Sequence, residues 1–195
     1  MNEENTQVFI ENRFKDLGIG AIFIFPLVAF ITFRAQDIIP FFFGESARSA
    51  VLPFQVGAWG LVFLFYVYIL LQIALFLNKK YLVFSSLIIE AFFAWVLNFY
   101  SIPLYGQTGI GISILVSLAA VFMLIAVSLN GAGIRIPFYR TGEKPAIGTM
   151  GLMVALHYLD TAQFFLIFIA GAATYFLIYA GMAHLQKGLA EISQG

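Results

Sequence analysis

Four uninterrupted apolar runs decide the solvent in which this chain can fold. Leu17–Phe33, Gly57–Leu77, Tyr81–Phe99 and Gly109–Leu129 are each about 17–21 residues long, close to the ~20 a helix needs to cross ~30 Å of hydrocarbon. Thr161–Ala183 is a fifth candidate. Hydrocarbon offers no hydrogen bonds, so only helices and closed barrels can span it. A barrel strand alternates apolar and polar residues, whereas Leu61–Leu71 reads LVFLFYVYILL with no alternation. The expected fold is all-α: a polytopic transmembrane helix bundle, residues 1–195 forming a single integral membrane domain.

Only 10% of the residues are charged, against roughly a quarter in an ordinary soluble domain. The expected location is the cell (inner or plasma) membrane, with the lipid bilayer as the surrounding partner. The formal net charge is zero and no basic block offers a footprint for nucleic acid. The chain has no cysteine, which removes disulfides, thiolate metal sites and iron–sulfur clusters. Its start, MNEENTQVFIENRFKD, is acidic and polar rather than basic then apolar, so the first span is expected to stay in the mature protein.

Between the spans, Thr6–Asp16 reads as an interfacial N-terminal helix, anchored by Val8, Phe9 and Phe14. Pro26 is expected to kink the first span. Arg34–Val56 reads as a long loop; Pro40, Pro53 and the run Phe41–Phe43 suit an interfacial anchor, or else a gate or docking surface. Asn78, Lys79 and Lys80 alone join spans two and three, which predicts a tight antiparallel hairpin. Ala146–Leu159 is too short to span alone, and Asp160 with Gln163 has capping-box spacing. That predicts five spans with 146–159 interfacial or re-entrant, or six if it is a short extra span.

The positive residues set the orientation. Arg13, Lys15, Lys79, Lys80, Arg135, Arg140 and Lys144 fall on the N-terminal side. Arg34 and Arg48 fall opposite, joined by Lys187 if there are five spans. Either count predicts a cytoplasmic N-terminus.

Glu90 is the acid placed in the middle of a span. An ionised carboxylate there is costly unless it is paired or wet. If the hairpin turns at Lys79, Tyr68 lies level with Glu90 and Gln72 with Ser86, each pair sharing a helical face. A polar seam of Tyr68, Gln72, Ser86 and Glu90 is therefore predicted, at a depth of roughly 15 Å for Glu90. As glue it is worth ~0.6 kcal/mol, at most ~2; the other reading is a titrating proton or cation site. Arg135, Arg140 and Lys144 are candidate contacts for an anionic headgroup, which would be the substrate if the chain were a membrane enzyme acting on lipid, a third and weaker option. His157 and His184 are 27 residues apart, roughly 40 Å along one helix, so they do not make a metal or haem site. Ser113 with Ser117, and Ala170 with Thr174, are small pairs that predict close helix packing.

No Walker loop, dinucleotide fingerprint, nucleophile elbow or zinc-protease motif occurs. Catalytic residues, cofactors and metals are all expected to be none. Two functional classes follow. One is a non-catalytic multi-pass subunit of a larger envelope complex (a secretion, respiratory or transport assembly), bound to other membrane subunits. The other is a small proton- or cation-coupled transporter or channel using Glu90.

Overall fold

The computed structural model describes residues 3–136 and 145–150, together with positions 153, 173 and 177. Every regular element among them is helical. In chain order these are α1 (Glu3–Phe43), a 3-10 turn (Glu45–Ala50), α2 (Val51–Ala58), α3 (Gly60–Phe76), α4 (Lys80–Tyr105) and α5 (Thr108–Asn130). Four of the described helical runs are long and apolar enough to cross a membrane: α1, the joined Glu45–Phe76 run, α4 and α5. Each overlaps one of the four runs read from the sequence. The candidate Thr161–Ala183 and most of Ala146–Leu159 lie outside the described residues, although 145–150 is helical.

The first helix is longer than its apolar run. The expected interfacial helix, the span and the first part of the expected loop form one helix of 41 residues, about 60 Å long. Pro26 and Pro40 lie inside it without ending it. Its ends have supports that hydropathy does not register. Arg13 pairs with Asp16 at 2.9 Å and Arg34 with Asp37 at 2.7 Å, both at i, i+3 on the helix surface. Near the N-terminus, Phe9 stacks on Phe76 of α3 with ring centroids 3.9 Å apart. The rest of the expected loop is the 3-10 turn and α2, entered through Gly44 at φ 81°, a backbone region that favours glycine.

The α3–α4 connection is as tight as its three residues require. Asn78 takes φ 56°, the left-handed conformation that asparagine tolerates. Lys79 N–H bonds the Ala74 carbonyl at 2.9 Å and Asn78 N–H the Leu75 carbonyl at 3.0 Å. This is the Schellman pattern, which satisfies carbonyls that a helix end would leave bare.

Beyond that turn the two helices part. α3 packs between α1 and α5, while α4 packs chiefly on α5 and only lightly on α3. The core follows this arrangement: Tyr66, Leu70 and Ile73 of α3 meet Val121, Phe122, Ile125 and Leu129 of α5, with Leu17 and Val28 of α1 on the other side.

Candidate functional site

Small residues on α5 set which helices touch. Gly109 faces α4: a Cβ placed on it would overlap the Ser101 backbone carbonyl. Gly111 faces α2, where a Cβ would overlap the Pro53 carbonyl. Helix backbones meet this closely only where side chains are absent. At the α4–α5 crossing Ser101 and Ser113 are both buried, with hydroxyl oxygens 2.7 Å apart. Ser101 Oγ also lies 2.6 Å from the Leu97 carbonyl, and Ser113 Oγ 2.8 Å from the Gly109 carbonyl. Ser101 Oγ lies 3.0 Å from the Gly109 carbonyl as well. Two hydroxyl protons serve these four contacts, so one serine donates to the other and the second to a carbonyl. Ser117, one turn further on, is fully buried as well. The expectation that Ser113 and Ser117 mark a packing face therefore holds; Ala170 and Thr174 lie outside the described residues.

This crossing pulls α4 toward α5, and the predicted seam is not assembled. Tyr68 is 61% exposed. Gln72 instead accepts a 3.0 Å hydrogen bond from Arg13 Nη1 of α1. Ser86 is buried but donates to the Leu82 carbonyl of its own helix. Glu90 is partly buried and joins no hydrogen bond or ion pair among the described residues. It does lie on the inward stripe of α4. Val83, Ser86, Glu90, Leu97 and Ser101 recur at helical spacing, and all are buried or partly buried.

The opposite face of α4 is aromatic. Phe84, Ile88, Phe92, Trp95 and Phe99 form an exposed stripe, with Trp95 between Phe92 and Phe99 at centroid distances of 6.5 and 6.4 Å.

At the end of the bundle that holds the 3-10 turn, α1, α2 and α5 enclose a cleft of about 650 Å³. Ile31, Ile39, Phe54, Leu61 and Ile114 are among its walls, and Gln107 is the one residue lining it with a polar side chain. Such a lining can hold an apolar chain and offers no acid, base or nucleophile. The same end carries the Arg48–Glu45 ion pair and the Gln55 side-chain amide, which donates to the Thr32 carbonyl at 2.7 Å.

At the opposite end Arg135 is exposed beside Asn130. Arg140, Lys144, His157 and His184 lie outside the described residues. No group of three or more His, Asp or Glu side chains among the described residues could hold a metal ion. The Arg13–Gln72 bond and the Ser101–Gly109–Ser113 contact were not anticipated. The second left a trace in the sequence, since Gly109, Gly111, Ser113 and Ser117 lie on one short stretch of helix.

No protein-family model, curated protein or solved structure matches this chain. Its function must therefore be argued from the helices themselves, which offer packing faces in abundance and, among the described residues, no assembled reaction centre.

Proposed function

We propose that this protein is a non-catalytic multi-pass subunit of a larger assembly in a cell membrane, with five spans and a cytoplasmic N-terminus. The observation that carries the reading is Trp95. α4 has 26 residues, about 39 Å, and Trp95 stands between two and three residues past its middle, toward the Tyr105 end. Its side chain is 67% exposed. Trp95 stands in an exposed row with Phe92 and Phe99, a face that suits the surface of a neighbouring protein helix. Aromatic anchors of this kind dominate protein–protein contacts.

The test is the mass and composition of the particle extracted from its native membrane in mild detergent. We expect fixed partners in a particle far heavier than the 21.7 kDa chain. Trp95→Ala should release an inserted, folded chain from that particle. A wild-type chain that runs as a monomer or small homo-oligomer would refute the subunit reading.

The second reading is a small proton- or cation-coupled transporter or channel, and Glu90 favours it. It sits on the inward stripe of α4 with neither ion pair nor hydrogen bond among the described residues, and intramembrane acids often mark ion pathways. On this reading Glu90→Gln abolishes pH-coupled flux in proteoliposomes while insertion and thermal stability stay unchanged. Flux that survives the substitution removes Glu90 from any transport role.

A further inference from the structure

Outside the aromatic face and the apolar cleft, the end of α5 carries a groove with two chemistries. Phe122, Met123, Ala126 and Val127 line its length, Asn130 and Arg135 stand at its mouth, and it encloses about 370 Å³. We propose that this groove binds one anionic phospholipid, with an acyl chain along α5 and the phosphate on Arg135. The site is independent of the subunit reading.

The backbone holds Arg135 in place. α5 ends in a second Schellman turn, in which Gly133 takes φ 83°. Gly133 N–H bonds the Asn130 carbonyl at 2.9 Å and Ile134 N–H the Leu129 carbonyl at 3.1 Å. Ile134 and Ile136 then pack against the core that contains Leu129. Arg135, between these two pinned isoleucines, is left exposed at the mouth of the groove.

Its charge is unanswered among the described residues. Arg13, Arg34 and Arg48 each pair with a carboxylate three residues away. Arg135 forms no ion pair among the described residues; the acid nearest to it along the chain is Glu143, eight residues on and outside the described residues. A guanidinium presents a planar fork that matches phosphate oxygens two at a time, and the Asn130 amide adds a donor beside it. A free anion would leave the apolar length of the groove unused, and an uncharged lipid would leave the arginine unanswered. An anionic phospholipid satisfies both.

The experiment uses the full chain in nanodiscs of equal parts phosphatidylglycerol and phosphatidylcholine, with retained lipid counted by native mass spectrometry. Wild type is expected to keep phosphatidylglycerol preferentially. Arg135→Gln should lower its retention about fivefold, as expected for one cation at an anionic surface, and leave phosphatidylcholine unchanged. Val127→Trp, at a position 66% exposed, fills the groove without altering charge and should lower phosphatidylglycerol retention by a similar factor. Arg48→Gln, at the other end of the bundle, should have no effect.

Unchanged retention in either groove variant overturns the proposal. So does displacement of phosphatidylglycerol by glycerol phosphate, which has the anion without the chain. If Arg135→Gln does not accumulate, the Val127→Trp result decides.

Discussion

Gly111→Val is expected to destabilise the bundle by about 3 kcal/mol, the upper end of what overpacking costs. The new Cβ would overlap the Pro53 carbonyl and come within 3.1 Å of the Gly57 nitrogen. Both are backbone atoms, so no rotamer change relieves the contact and α2 must move as a whole. Against a total stability of about 5–15 kcal/mol, that loss is large. It should appear as a lower midpoint in thermal or denaturant unfolding in detergent. Gly57→Ala gives the internal comparison. It lies on the other side of the same contact, but its Cβ would meet only the Gly111 Cα at 3.5 Å, an ordinary distance. Near-native stability is expected for Gly57→Ala. Equal losses in the two variants would mean that α2 and α5 do not meet as described.

Tyr66→Ala should cost about 3–5 kcal/mol, the range for removing a buried aromatic ring. Tyr66 is 1% exposed and meets Phe122 of α5 edge-on at 5.9 Å and Phe65 at 6.2 Å. Lipid tails are as apolar as the core they would replace, so in a membrane the loss comes from packing contacts and from the cavity left behind. Tyr68 stands two residues away on the same helix and points elsewhere. Tyr68→Ala should leave the unfolding midpoint within about 0.5 kcal/mol of wild type, as for a surface substitution. A large effect at Tyr68 would restore the α3–α4 seam that the structure does not assemble.

The solvent and the class of the fold were legible in the sequence because both depend on the length of apolar runs. The ends of the elements were not. α1 continues through Arg34 and Asp37, whose i, i+3 ion pair supports a turn that hydropathy scores as loop; at its other end the ring stack and the bond to Gln72 tie the expected interfacial helix to α3. The partner of each helix was also hidden. A three-residue turn dictates that α3 and α4 run antiparallel, but says nothing about how far they stay in contact. Gly109, Ser101 and Ser113 draw α4 onto α5, and with that the level pairing of Tyr68 with Glu90 loses its meaning. The serine spacing on α5 was readable because it records a packing face directly. Arg135 stood out as a cation by sequence, whereas the groove beneath it depends on where Gly133 turns the chain.

The two ends of the bundle are fastened differently. At the Gly111 end, backbone sits on backbone, and such a joint has nothing that can stretch or swing. At the Arg13 end, α1 and α3 are held by a guanidinium on an amide and by two stacked rings, all at the tips of side chains with rotatable bonds. Backbone amide exchange is therefore expected to be slowest around Gly109 and Gly111, where helix meets helix with no side chain between them.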